Sequence, residues 1–451
     1  MTTTTDTVPG AADPESAADP AQSRKAFMAG LASTFGWALD LFDLFILLYV
    51  APIIGRLFFP SDKATLSLAA VYASFAVALL VRPLGSAVFG AYADKHGRKR
   101  ALMISMVGVG LSTAAFGLLP TIHQAGMAAP VIFLALRIVQ GLFVGGIVAS
   151  THTIGTESIA PRHRGLMSGL VGSGGAGMGA LMASIVYFAL SYVFPGDRFD
   201  QIGWRVMFFS GLISTVFGLV MYRLLDETPS FKKIQAERAR QKDGAARQAS
   251  PLKTLFAGEY RNVLLVNLLI TFGGGATYYI TAGYLPTLLK LVANVPHESS
   301  ALILMISSVG TIVGALAFGA LSDIIGRKKT FYALGVFCLV LLPYLFLLIA
   351  KPASLPRITM IASAIALLGG AIIAPVMIFL NERFPAKMRA SGTGLSWNIG
   401  FAVGGMMPTV VSLLSGSPQD IPHVLAITSA LLAVVYLVGA KVAPETQGQF
   451  D

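Results

Sequence analysis

From residue 27 to residue 442 the chain alternates between long apolar runs and short polar or charged breaks, and the runs are about 20 to 28 residues long, the length that carries a helix across a bilayer. Twelve membrane helices are predicted, near 27–54, 66–90, 101–120, 131–153, 166–193 and 203–225 in the first half. In the second half they lie near 262–289, 299–321, 330–350, 357–381, 390–415 and 422–442. The expected fold is therefore an all-α membrane protein of two six-helix bundles, 27–225 and 261–442, with an even number of crossings that leaves both termini on one side. The stretch 226–260 carries Lys232, Lys233, Arg238, Arg240, Lys242, Arg247 and Lys253 and reads as a charged linker, with one amphipathic helix expected around Pro229 to Lys242. Residues 1–26 are rich in Thr, Ala, Asp and Pro and have no apolar core of a signal peptide, so a disordered N-terminal tail is expected. A short tail, 443–451, closes the chain.

The two halves share a loop. Gly90-Ala91-Tyr92-Ala93-Asp94-Lys95-His96-Gly97-Arg98-Lys99-Arg100 returns 229 residues later as Gly319-Ala320-Leu321-Ser322-Asp323-Ile324-Ile325-Gly326-Arg327-Lys328-Lys329. Each Asp stands where a helix ends, where its carboxylate can cap the N-terminus of a neighbouring helix. Gly97 and Gly326 permit the tight turn, and Arg98-Lys99 and Arg327-Lys328 suit an anionic lipid surface. A second pair of segments, Glu157 to Arg164 after the fourth helix and Glu382 to Arg389 after the tenth, repeats at 225 residues. Two copies of one plan point to a carrier with a gate built twice on the same face.

Composition narrows the class. Mean hydropathy is +0.72, with 55% hydrophobic and 12% charged residues, against roughly 25% charged in a soluble domain. Most of the 33 Lys and Arg fall on the side that holds both termini, leaving Arg56, Lys63, Arg198, Arg205, Lys290, Lys351 and Arg357 on the other. By the positive-inside rule the termini are cytoplasmic, and the net charge of +11 is a topology signal rather than a nucleic-acid surface. Cys338, the single cysteine, forms no internal disulfide. There is no His/Cys cluster with metal spacing, no nucleophile elbow and no Walker loop. An enzyme, a metal or cofactor protein and an ATP-driven pump are all disfavoured. The expected partners are a small-molecule substrate, protons and the bilayer.

These landmarks resemble the major facilitator superfamily over nearly all of the chain after residue 26. Leu136-Arg137-Ile138-Val139-Gln140-Gly141 is similar to its fourth-helix Arg-x-x-Gln-Gly pattern. Gly36-Trp37-Ala38-Leu39-Asp40-Leu41-Phe42-Asp43, Leu80-Val81-Arg82-Pro83-Leu84-Gly85, Asp226-Glu227-Thr228-Pro229 and Arg389-Ala390-Ser391-Gly392-Thr393-Gly394 resemble the metabolite:proton and sialate:proton symporter branches. The resemblance implies a monomeric alternating-access carrier in the cytoplasmic membrane. One departure is Gly145-Gly146-Ile147, where a Glu commonly follows the glycine pair in the first of these branches.

Charges inside the membrane are the candidate chemistry, since each costs on the order of 3 kcal/mol at the bilayer centre and must face protein or a cavity. Asp40 lies roughly 20 Å into the first helix, with Asp43 on the same face; both are candidate proton sites. Arg82, Arg137 and Gln140 are candidate substrate residues of the first half; Asn267, Tyr278, Tyr279, Trp397 and Asn398 are their counterparts in the second. Thr271 and Tyr284 are weaker candidates, and His152 suits an exit path or polar packing. The leading expectation is proton-coupled import of a small organic anion: protons neutralise an Asp and free an Arg for the substrate carboxylate. The alternative is a zwitterionic or sugar-like neutral solute, which Ala443-Pro444-Glu445-Thr446-Gln447-Gly448 favours by its likeness to a sugar-porter ending. A membrane sensor is a minor third.

Overall fold

A computed structural model describes residues 20–96, 98–157, 163–224, 259–385 and 389–449. The described part of the chain forms twelve helical spans. The first six are α1 (Pro20–Tyr49, continued after a bend by Ala51–Phe58), α2 (Ala64–His96), α3 (Arg98–Phe116), α4 (Ala128–Glu157), α5 (Arg164–Val193) and α6 (Phe199–Val220). The second six are α7 (Tyr260–Val292), α8 (His297–Ile325), α9 (Arg327–Ile349), α10 (Leu355–Glu382), α11 (Ser391–Leu414) and α12 (Pro418–Val442). Ten of these are long and apolar enough to cross a membrane, bent α1 makes an eleventh, and α3 contributes the shorter apolar helix Arg100–Phe116. The hydrophobic runs thus became helices where they were expected, except that the first run hides a 60° bend at Val50, just before Pro52. The expected linker helix around residues 229–242 lies outside the described residues.

Packing repeats between the halves. In the first, α2 lies along α4; in the second, α8 lies along α10; and the halves meet where α5 packs on α8 and α11 on α2. Glycine makes the first crossing close: a Cβ on Gly145 would run into the carbonyl oxygen of Arg82 and lie 2.8 Å from the Ser86 nitrogen. Such small faces let membrane helices approach in the absence of a hydrophobic drive. Leu80, Leu84 and Val88 of α2 and Val340 of α9 stay exposed on the outside, as lipid-facing residues should. Three helices carry wide turns with i→i+5 bonding: α5 at Gly169–Gly174, α6 at Phe199–Gly203, and α7 at Tyr279–Gly283 and Leu288–Val292.

At the end of the bundle that carries the repeated loop, the second copy forms a closed network. Asp323 accepts from the backbone nitrogens of Gly165 (2.8 Å) and Leu166 (2.9 Å), capping α5 of the opposite half. Arg327 bridges Asp323 (2.7 Å) and Glu382 (3.1 Å) and is 2% exposed. The C-terminal tail then folds onto this pair. Glu445 accepts from the backbone nitrogens of Arg327 (2.9 Å) and Lys328 (3.1 Å), Thr446 donates to Glu382 (2.7 Å), and the Gln447 amide donates to the Asp323 carbonyl. Gly326 makes the turn at φ +96, in the left-handed region that favours glycine, with the Glu445 carboxylate against its Cα. Gly319 lets α5 approach, since a Cβ there would lie 2.6 Å from the Gly165 carbonyl. Arg389 donates to the Asn381 carbonyl at 3.0 Å, and Arg164 is half-buried. In the first copy Gly90 has open space around it; Gly97 and the side chains of Asp94, Arg98, Lys99, His152 and Glu157 lie outside the described residues.

Candidate functional site

Two adjoining cavities, one between the halves and one within the first half, share Leu79 and Arg82 of α2 as their common wall. The first gathers aromatic groups from both halves: Trp37 from α1, Tyr278 and Tyr279 from α7, and Trp397 and Phe401 from α11, with Asn398 beside them. The second belongs entirely to the first half and holds the charges: Asp40, Asp43, Arg82, Arg137 and Gln140 line it, among apolar residues of the same helices. Every charged side chain lining either cavity therefore comes from α1, α2 or α4. The wide turns at Gly169–Gly174 and Tyr279–Gly283 border the aromatic cavity through Gly172 and Tyr279, the kind of functional location where such turns concentrate.

The aromatic walls come from opposite halves. Trp37 and Trp397 stand edge to face with centroids 6.2 Å apart, and Trp397 stacks on Phe401 at 4.0 Å. Trp37 donates its indole N–H to the Gly172 carbonyl at 2.9 Å, so its ring is held in place. Tyr278 is 2% exposed and its hydroxyl has no protein partner, so a buried phenol remains available to a ligand.

The charges are unequally matched. Asp40 faces Arg82 at 3.4 Å, a long contact that leaves Asp40 Oδ1 and Arg82 Nε without partners. Asp43, 1% exposed, has no ion-pair partner among the described residues; the hydroxyls of Thr113 and Ser214 border it instead. Arg137 also has no carboxylate partner there. Its guanidinium lies 4.2 Å from the Phe116 ring centroid and 5.4 Å from that of Phe133, a cation–π cradle. Arg137 donates to Gln140 at 2.5 Å and Gln140 donates to the Thr113 oxygen at 2.7 Å; Thr113 in turn borders Asp43. Static pairing of both aspartates with the two arginines is thus not what the geometry displays.

Of the residues picked from the sequence, Asp40, Asp43, Arg82, Arg137, Gln140, Tyr278, Tyr279, Trp397 and Asn398 all line these cavities. Asn267 does not: it is buried between α7 and α11, donating to Ser396 at 3.4 Å, and Thr271 joins the same seam through the Ser396 carbonyl. The Asn267 amide nitrogen bonds across the helix seam while its Oδ1 is left without a partner, a placement its position in the sequence does not reveal. Tyr284 lies outside the cavities, bonded to Ser412 at 2.8 Å and stacked on Tyr72. Sequence reasoning missed Trp37, Phe401, Thr113 and Ser214 as lining or bordering groups. Trp37 and Phe401 sit one turn from Asp40 and Trp397, and that spacing was a usable signal.

Both ends of the site are shut. At the loop-motif end, Ser173 donates to the Gly370 carbonyl (2.6 Å) and Ser168 to that of Ala374 (2.9 Å), tying α5 to α10. At the opposite end, Tyr72 stacks on Tyr284 with centroids 5.0 Å apart and bonds Thr287 at 2.7 Å, while Tyr187 bonds His297 at 2.7 Å. Among the described residues the two halves are thus tied to each other at both ends.

Comparison with known proteins bears on the class. The glycine betaine/proline/ectoine/pipecolic acid transporter OusA of Dickeya dadantii is 28% identical over 440 residues, 97% of this chain and 86% of its own. The proline/betaine transporter of Escherichia coli K12 is 29% identical, over 93% of this chain and 83% of its own. The inner membrane metabolite transport protein YhjE of the same strain is 32% identical over 83% and 84%. In three dimensions the proton:xylose symporter XylE, with bound 6-bromo-6-deoxy-D-glucose, superposes at a TM-score of 0.73 with 17% identity, covering 95% of this chain and 98% of that one; it supports the fold alone.

These relatives overturn the organic-anion expectation and give the sialate and carboxylate branches no support. The physical reason is visible in the site. A buried Arg beside a cavity suits the carboxylate of a zwitterion as well as that of an anion, and aromatic groups converge beside it that can face a cationic end. The chain is an integral, multi-pass membrane transporter and not an enzyme. Residues 26–407 and 268–450 match the model of one family, and with the twelve-helix fold and repeated loops this establishes that the chain belongs to the Major Facilitator Superfamily.

Proposed function

We propose that this transporter imports a small zwitterionic solute, of the betaine or proline type handled by its relatives, together with protons. The observation that carries the reading is Arg82 as the wall common to an aromatic cavity and an acidic one. A carboxylate in the aromatic cavity pairs with Arg82, whose Nε has no protein acceptor. A methylated or secondary ammonium group on the same solute lies against Trp37, Trp397 and Phe401, which attract a cation without requiring hydrogen bonds from it. A quaternary ammonium has no N–H to donate, so an aromatic wall is its natural recognition surface.

Proton coupling follows from the unequal aspartates. Asp40 is held as the ionised partner of Arg82, and Asp43, without a counter-ion, takes the proton. Solute binding draws Arg82 from Asp40, and the field on Asp43 one helical turn away changes with it, so solute and proton affinity are linked reciprocally. In this reading the loop-motif end is cytoplasmic, both termini lie on that side, the two bundles 27–225 and 261–442 rock about the site, and the carrier works as a monomer.

Uptake of labelled glycine betaine and proline by proteoliposomes, with and without an inward proton gradient, tests the reading. Gradient-stimulated uptake, competed by either zwitterion and not by succinate or benzoate, is expected. Failure of both zwitterions to bind or compete would falsify it.

A further inference from the structure

The end of the bundle opposite the repeated loops carries a second cluster of titratable groups, separate from both cavities. His297 begins α8 and is 6% exposed. Its Nδ1 lies 2.7 Å from the Tyr187 hydroxyl of α5. Its Nε2 has two neighbours of opposite kind: Lys290 Nζ of α7 at 2.9 Å and Asp200 Oδ1 at the start of α6 at 3.1 Å. Arg56, on the segment after the α1 bend, pairs with the other oxygen of Asp200 at 2.7 Å. Glu298, the next residue on the helix of His297, completes the charged surroundings. Phe199 covers the imidazole, with ring centroids 4.7 Å apart.

The two neighbours of Nε2 exclude one another. An ammonium can only donate, so Lys290 bonds Nε2 when that nitrogen is bare. A carboxylate can only accept, so Asp200 bonds Nε2 when that nitrogen carries a hydrogen, in the imidazolium or in the neutral tautomer whose Nδ1 accepts from Tyr187. The choice has a structural meaning, because Lys290 belongs to the same half as His297 and Asp200 belongs to the opposite half. In the neutral ring the two bonds compete; the imidazolium leaves only the one between bundles. It also places two cations side by side, which drives half-exposed Lys290 out to solvent. Imidazole is the side chain that makes this change of charge in the physiological range.

The geometry points to His297 as a second proton-binding site that latches the outer end: bound proton, bond to Asp200, closed; no proton, Lys290 competing for the same nitrogen, released. This latch is distinct from the coupling proton on Asp43. It lies at the entrance, where external protons arrive first, and it favours closure over a loaded cavity. The inference goes beyond the substrate reading and does not depend on which solute is carried.

Spin labels on Ser61→Cys and Ser354→Cys, exposed residues of the two halves at this end, read the gap by pulsed electron resonance in nanodiscs, with Cys338→Ser removing the native thiol. Acidification from pH 8 to 5.5 is expected to shift the distances toward the short population. His297→Gln is expected to abolish the shift, His297→Lys to hold the short population at both pH values, and Asp200→Asn to hold the long one. Asp43→Asn is expected to retain the shift, which separates this latch from the coupling site. A wild-type chain without a shift, or a His297→Gln or Asp200→Asn chain that keeps it, overturns the inference.

Discussion

Trp37 and Trp397, one from each half of the molecule, meet edge to face across the aromatic cavity with their centroids 6.2 Å apart. A solute gripped by both rings couples the two bundles at the level of the site. Replacing Trp397 with Leu removes one cation-attracting face, worth about 2 kcal/mol when desolvated, so betaine binding is expected to weaken by more than tenfold, whereas Trp397→Phe retains most of it. Two of the three tryptophans stand at this cavity, so quenching of intrinsic fluorescence on betaine titration measures the effect directly.

The acidic cavity separates the roles of its two carboxylates. Asp43→Asn is expected to abolish accumulation driven by a proton gradient while leaving betaine exchange across the membrane. Asp40→Asn strands the Arg82 charge in a buried site, and losing one partner of a buried pair costs about 3 to 5 kcal/mol. Its signature is a lowered melting temperature of the purified protein as well as lost uptake. Equal loss of exchange and accumulation in Asp43→Asn would argue against its role as proton carrier.

The α2–α4 crossing makes a glycine a positioning residue for Arg82. Any side chain at Gly145 collides with the Arg82 carbonyl, so Gly145→Ala must push the helices apart or shift Arg82. Overpacking of this kind costs about 1 to 3 kcal/mol. The expected outcome is lower thermal stability together with a raised KM, and because the atoms met are backbone atoms of Arg82 and Ser86, trimming the Ser86 side chain is not expected to relieve it.

Much of this organisation was legible in the sequence, for reasons that can be named. Helix positions follow from apolar length alone, and the repeated Asp and Gly of the loop motif announced an end of the bundle that Asp323 does in fact tie together. Asp40, Asp43, Arg82 and Arg137 stood out because charge is costly in lipid. Tyr278, Tyr279 and Trp397 stood out as well, but Trp37 and Phe401, which complete the aromatic wall, did not, because Trp and Phe in apolar helices read as ordinary packing or interface residues. Which aspartate faces an arginine was also hidden: only three-dimensional packing puts Arg82 beside Asp40 while Arg137 stacks on Phe116. The His297 cluster draws residues from five helices with no spacing to link them.

The tail latch has a pH dependence of definite sign. Partial burial pushes the Glu445 carboxyl up, but the backbone N–H groups of Gln447, Arg327, Lys328 and Thr446 outweigh it and hold the carboxyl below the ordinary glutamate value of 4.5. A lowered value means that the ionised carboxylate stabilises the docked tail above the ordinary range and that this stabilisation is lost as pH falls through the lowered value. A nitroxide at Gln449→Cys in the Cys338→Ser background should stay immobile from pH 8 to 5 and become mobile in stronger acid. Glu445→Gln should be mobile already at neutral pH.

The wide turn at Tyr279–Gly283 in α7 holds one residue more than an ordinary helical turn would need between the same two ends. Deleting a residue from a regular helix rotates everything beyond it by about 100°, which would swing Thr287 away from Tyr72 and Lys290 away from His297. Here the surplus is already present, and deletion of Ala282 can be absorbed as the wide turn tightens to an ordinary one. The downstream face of α7 would keep its partners. A helix that tolerates such a loss beside the site, and fails when one is made between Leu265 and Phe272, would identify that turn as slack held in the helix.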